Sequence, residues 1–159
     1  MNGMEGNGMD EQRQNEVLTI ISNRMLRAVY QPIVSLTDGS VFAFEALSRI
    51  TCADASINIS ELFETAGQMG YLWELEKMCR TNALKNAVGK PDGVKLFINV
   101  DGNVLSDSKF IKGFTKEKLR MFSLKAEDVV FEITERSNCD NHRPLSTLIK
   151  YYREQGVEV

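Results

Sequence analysis

Histidine is nearly absent from this chain: among 159 residues there is one, His142. A helical zinc-protease site needs two histidines one turn apart, so that chemistry is excluded. Cysteine is scarce as well. Cys52, Cys79 and Cys139 lie too far apart for the short pairs of a zinc ribbon, and an odd number of thiols reads as reduced. Cys139 and His142 could offer two metal ligands, but a small buried thiol beside a surface imidazole is the favoured reading. Phosphate-cradling loops are missing: no G-x-x-x-x-G-K-[ST] occurs, and Gly3, Gly6 and Gly8 do not make G-x-G-x-x-G. No apolar run approaches the ~18 residues that cross a bilayer. The polar start, Met1-Asn2-Gly3-Met4-Glu5-Gly6, lacks the basic and apolar regions of a secretion signal, so the expected compartment is the cytoplasm. Excess positive charge is absent too. With 19 Lys+Arg against 22 Asp+Glu the net charge is −3, which argues against binding a DNA or RNA polymer.

What remains is an ordinary folded composition, 43% hydrophobic and 26% charged, at a length that suits one domain. Residues 1–12 show no periodicity and read as a disordered leader, with the domain occupying 13–159. Helical spacing of Val17, Leu18, Ile21, Met25 and Ala28 predicts a helix from about Glu11 to Ala28. Ile33–Leu36 and Val41–Leu47 flank Asp38-Gly39, a hairpin signal between two antiparallel strands. Ser60 is the expected cap of a helix carrying Leu62, Phe63 and Ala66. A longer helix runs to about Ala87 with Leu72, Leu75, Met78, Cys79 and Ala83 on one side. Strand Val94–Val100, a helical stretch Val104–Phe122 broken near Gly113, strand Val129–Ile133 and a helix through Leu145, Leu148, Ile149 and Tyr152 complete the order. Gly156 should end that last helix, and Val157-Glu158-Val159 reads as the start of another strand.

Helix, hairpin, then helix–strand units make an α/β chain with a mostly parallel sheet. A closed (β/α)₈ barrel takes about 250 residues, so the expected fold is a partial TIM-like barrel with an antiparallel first strand, reaching about the fifth strand. Three apolar strands each carry one oxygen-bearing residue near the carboxyl end: Glu45, Asn99 and Glu132. Strand ends of that kind meet at one mouth in a barrel. Two carboxylates and an amide oxygen are hard ligands, suited to Mg²⁺, Mn²⁺ or Ca²⁺ rather than Zn²⁺. Taken singly, each could instead cap its strand by bonding loop backbone. Three on successive strands favour the shared ion.

Gln31-Pro32-Ile33, Glu45-Ala46-Leu47 with Arg49 two places on, Phe97-Ile98-Asn99-Val100, and Phe131-Glu132-Ile133-Thr134-Glu135 resemble, in order and spacing, the EAL domain. The likeness runs from about Val29 to Val159. It implies a TIM-like barrel that hydrolyses cyclic di-GMP to linear pGpG with Mg²⁺ or Mn²⁺, with Ca²⁺ as an inhibitory substitute. By motif, Glu45, Asn99 and Glu132 would be metal ligands, Arg49 would grip a substrate phosphate and Gln31 would contact the nucleotide. Arg49 could equally pair with Glu135 at the rim, and Gln31 could be a polar residue at a strand start. The chain departs from the usual E-A-L-L-R-W at Ser48 and Ile50. The family's next strand bears a D-D-F-G motif, then a catalytic Lys and further Glu residues, positions that would fall beyond Val159. The resemblance therefore implies the N-terminal portion of a cyclic di-GMP phosphodiesterase, inactive as this polypeptide alone. Association with a second copy or with a C-terminal half is expected, because a half barrel leaves a sheet edge and face uncovered. The alternatives are a non-catalytic, degenerate EAL module that binds cyclic di-GMP or a protein partner, and an α/β domain whose strand-end polar residues are structural.

Overall fold

The computed structural model describes the backbone of residues 5–134 and 142–159 and the side chains of 10–134 and 145–159. Cys139 and Glu135, and with them the Cys139–His142 pairing and the Arg49–Glu135 ion pair, lie outside the described residues. Helix α1 spans Glu5–Ser22 and strand β1 spans Leu26–Val34. This differs from the expected helix at both ends. Residues from Glu5 onward, read as leader, are helical, and Leu26–Ala28 are strand. The helix stops in a Schellman cap: Arg24 takes the left-handed conformation at φ 53°, its N–H bonds the Ile21 carbonyl (3.2 Å), and Met25 N–H bonds Ile20 (2.9 Å). Glycine normally marks such a stop, and Arg24 gives no such signal.

Strand β2 spans Val41–Ile50 and pairs antiparallel with β1, the turn closing where Gly39 adopts φ 73°. Both strands are longer than the apolar runs suggested. Helix α2, Ile59–Gln68, is capped by Asn58 rather than Ser60. Asn58 Oδ1 accepts the Glu61 N–H and Glu61 Oε2 accepts the Asn58 N–H, both at 3.0 Å, a reciprocal capping box. Helix α3 (Leu72–Asn86) leads into strand β3 (Lys95–Asp101). Of the stretch expected to be helical from Val104 to Phe122 with a break near Gly113, the break is there, Gly113 standing immediately before helix α4, Phe114–Met121, but the first part forms only a 3₁₀ turn, Val104–Ser106. Asp107 lies between them because its carboxylate is used elsewhere, accepting the Trp73 N–H at the start of α3 and the Lys109 N–H, each at 2.9 Å. Strand β4 (Val129–Thr134) and helix α5 (His142–Arg153) follow, and Gly156 at φ 83° closes that helix end as expected.

The sheet runs β1-β2-β3-β4, antiparallel at the first pair and parallel afterwards. Glu158 forms a parallel bridge with Val130, so the last residues add alongside β4. Alternation gives each strand one face to the helices. On that face Ala46, Leu96, Ile98, Val129 and Phe131 pack with Leu84, Leu119, Leu148 and Tyr152. A second cluster around Val17, Ile20, Leu62 and Leu75 joins α1, α2 and α3 near the start of β1. Each fully buried side chain of this size contributes roughly 1.5–3 kcal/mol. The opposite face is the half-buried one: Phe97, Asn99 and Val130 are partly exposed and Glu132 is exposed.

Candidate active site

Cross-strand register decides which side chains share that open face. Gln31 stands opposite Glu45, Glu45 opposite Phe97, and Asn99 opposite Glu132. Residues two apart point the same way, so Gln31, Glu45, Asn99 and Glu132 all project from one side of four neighbouring strands. Adjacent strands are about 4.8 Å apart, which puts these groups within one small site. Asn99 Nδ2 donates to Glu45 Oε1 at 2.9 Å. The amide nitrogen is thereby turned to the carboxylate, and the amide oxygen is the atom of Asn99 left for a cation. Glu132 is held above the ordinary carboxylate range, first by partial burial and then by the negative charge of Glu45. Two carboxylates that repel one another are the electrostatic condition a divalent cation relieves.

Arg49 lies on the same strand face as Glu45, four residues on and therefore about 13 Å further along. Its Nη1 donates to the Ser48 carbonyl at 2.9 Å. Because β1 is antiparallel, its beginning lies at the carboxyl end of β2, and Arg27 stands directly opposite Arg49. A cleft of about 290 Å³ opens here, lined by Glu45, Ser48, Arg49, Asn99, Asp101 and Thr134, with Glu76 behind them. It adjoins a larger cleft of about 770 Å³ between α2 and the end of β3, the two sharing Phe63 and Asp101.

The site thus contains groups that motif reading missed. Asp101 continues the Asn99 face and is buried, its Oδ1 accepting the Asn103 N–H at 2.8 Å. Glu76 is fully buried on α3 and accepts from Arg80 (3.0 Å) and from the Asp101 N–H (2.8 Å). A detectable signal existed for that pair: a Glu and an Arg four residues apart inside an otherwise apolar helical stripe. Among the described residues no group of three His, Cys, Asp or Glu side chains stands at metal-ligating spacing. The candidate set is instead two carboxylates and an amide, hard oxygen donors that fit a Mg²⁺-like ion completing its shell with water or phosphate oxygens.

The sequence profile of the EAL domain matches residues 12–159. This chain belongs to the EAL domain family. As an EAL chain it forms one side of a TIM-like barrel with an antiparallel opening pair. It is 27% identical over 143 residues to the probable cyclic di-GMP phosphodiesterase PdeB of Escherichia coli K12, a match that covers 87% of this chain and 27% of that protein. Its fold is similar to that of the EAL enzyme Bd1971 in its cGMP-bound form, with TM-score 0.79 and 18% identity over 99% of this chain and 45% of the other. The FimX EAL domain of Xanthomonas citri, solved with c-diGMP, gives TM-score 0.77 and 12% identity over 98% of this EAL chain and 61% of the other. At such identities the likeness speaks to fold. The chain spans about a quarter of the curated relative's length and less than two thirds of these solved chains.

Proposed function

We infer that this EAL domain belongs to a cyclic di-GMP phosphodiesterase and supplies part of its cation and substrate site. The observation that carries the reading is the convergence of Glu45, Asn99 and Glu132 on one face of three adjacent parallel strands. Glu45 and Glu132 would each offer a carboxylate oxygen and Asn99 its amide oxygen to Mg²⁺ or Mn²⁺. A bound divalent ion supplies charge stabilisation on the phosphoryl oxygens and lowers the pKa of water. The guanidinium of Arg49, at the cleft rim, presents a planar fork suited to a phosphodiester. Gln31, paired with Glu45 across the first ladder, offers an amide to a nucleobase or ribose. Hydrolysis of one phosphodiester bond of cyclic di-GMP would give linear pGpG. The expected compartment is the cytoplasm.

Two-metal hydrolysis needs ions held about 4 Å apart by oxygen ligands on more than one side. Strands β2, β3 and β4 provide only one side, so this polypeptide by itself is expected to bind without turning over. Calorimetry with cyclic di-GMP and Ca²⁺, paired with mass spectrometry for pGpG after incubation with Mn²⁺, tests both parts. Release of pGpG by the purified 159-residue chain would overturn the claim of inactivity. Absence of any Mn²⁺ or Ca²⁺ binding would overturn the cation site. A second reading, a non-catalytic EAL module, rests on Ser48 and Ile50, which depart from the usual Leu and Trp of the motif. Binding of cyclic di-GMP without release of pGpG, when the chain is supplied with the D-D-F-G, Lys and Glu positions of an active EAL domain, would favour it.

A further inference from the structure

Strands β2 and β3 stay paired only as far as Ala46 and Ile98, whereas β3 and β4 remain paired to Asp101 and Thr134. Past Ile98 the side of β3 towards β2 has lost its ladder partner, and it is here that the cleft opens beside Asn99. The backbone N–H of Asp101 faces that gap, and a buried donor without a partner is costly. Glu76 takes it: its Oε1 accepts the Asp101 N–H at 2.8 Å, standing in for the missing strand. The other oxygen of Glu76 accepts from Arg80 at 3.0 Å, and Arg80 Nη1 donates to Thr115 Oγ1 at 3.0 Å. The Arg80 guanidinium lies over the Phe131 ring, 4.9 Å from its centre, with Trp73 and Tyr152 also against it at 5.7 and 5.3 Å. Phe131 immediately precedes Glu132. One buried ion pair on α3 therefore holds the backbone two residues beyond Asn99 and the ring one residue before Glu132.

The geometry points to Glu76 as a positioning residue that sets Asn99 in place for a divalent cation without touching it, with Arg80 serving to neutralise the buried Glu76 carboxylate. This rests on the cation reading above. Glu76 lines the cleft, so it could in principle bind the ion itself; its two oxygens are instead committed to a backbone N–H and a guanidinium. A buried ion pair that did nothing but fill space would be replaceable by apolar groups with little loss. Positioning makes a different demand: the acceptor for the Asp101 N–H must survive, while the charge need not.

Two double variants of the full chain separate these roles. E76M/R80M removes both charges and the acceptor; E76Q/R80M removes both charges but keeps an acceptor oxygen. Mn²⁺ affinity by calorimetry and the Asn99 side-chain amide signal in a ¹⁵N–¹H spectrum without metal are read for each. The expected result is a folded E76M/R80M chain with Mn²⁺ affinity at least tenfold weaker and a displaced Asn99 signal, and an E76Q/R80M chain close to the parent in both. Parental affinity and an unmoved Asn99 signal in E76M/R80M would overturn the proposal. So would loss of Mn²⁺ affinity in E76Q/R80M with the Asn99 signal unmoved, since Glu76 would then be a ligand. If the parent chain takes up no Mn²⁺, the cation reading fails by itself, and the Asn99 signal decides: moved in E76M/R80M and kept in E76Q/R80M supports positioning, unmoved in both overturns it. Hydrogen exchange of the Asp101 amide in the parent chain tests the contact without any substitution. Protection is expected, and exchange as fast as that of the fully exposed Leu36 amide would refute the contact.

Discussion

Asn99 gives its amide hydrogen to Glu45 across the β2–β3 ladder, at 2.9 Å, and so ties the two central strands together at the point where the cleft begins. Replacing Asn99 by Asp removes the donor and sets a second carboxylate against the first. In EDTA at pH 7 the N99D chain should lose about 1–3 kcal/mol of unfolding free energy. Added Mn²⁺ should restore much of it, because an ion that binds only the folded state stabilises that state. Equal thermal stability of N99D and parent in EDTA would show that the bond carries no weight.

Glu132 carries the opposite lesson about charge. Its carboxyl is raised above 4.5 by burial and by Glu45, so the folded chain holds this proton more tightly than the unfolded chain does. The favourable contribution is complete below 4.5 and is lost as pH rises through the folded-state value. E132Q should therefore raise the melting temperature at pH 7 in EDTA, with the gain shrinking as pH falls below that range. The same change should abolish tight Mn²⁺ binding. Stability and cation affinity moving together, in either direction, would contradict this account.

Arg27 and Arg49 face one another across the first ladder, a like-charge pair on directly opposed residues. Such pairs cost roughly 0.2–1 kcal/mol. R27Q should accordingly stabilise the chain at low ionic strength, with the gain fading in high salt as the charges are screened. Inorganic phosphate should stabilise the parent more than R27Q if the two guanidinium groups grip an anion together. Thermal melts across a salt series, with and without phosphate, read both effects.

Asn58 and Glu61 close the start of α2, whose Leu62 and Ala66 lie in the cluster shared with α1 and α3. N58A should cost about 1 kcal/mol in urea unfolding, and N58D should recover most of it. A cost of N58D as large as that of N58A would mean that the side-chain acceptor is not what the helix needs.

Sequence alone determined the parts of this protein that follow from local pattern. Alternating apolar runs with β-branched and aromatic residues placed the hairpin around Asp38-Gly39 and the later strands. The apolar stripe of Leu72, Leu75 and Ala83 placed α3, and the motifs around Glu45, Asn99 and Glu132 named the family. These signals are readable because each depends on residues close along the chain. Helix ends were less legible. Arg24 in a left-handed cap, and Asn58 capping where Ser60 was also available, are choices made among nearly equal local options by packing. The 104–122 stretch breaks at Gly113 as its sequence suggests, but its first part is no more than a 3₁₀ turn because Asp107 bonds the start of α3, 34 residues earlier. Tertiary structure alone decided three things at the site: that Asn99 points its nitrogen at Glu45, that Arg27 comes to lie opposite Arg49, and that Glu76 serves β3 from another element. Each depends on register or on contact between distant segments, and a side chain's partners across such distances are set by the closing of the whole fold rather than by its neighbours in sequence.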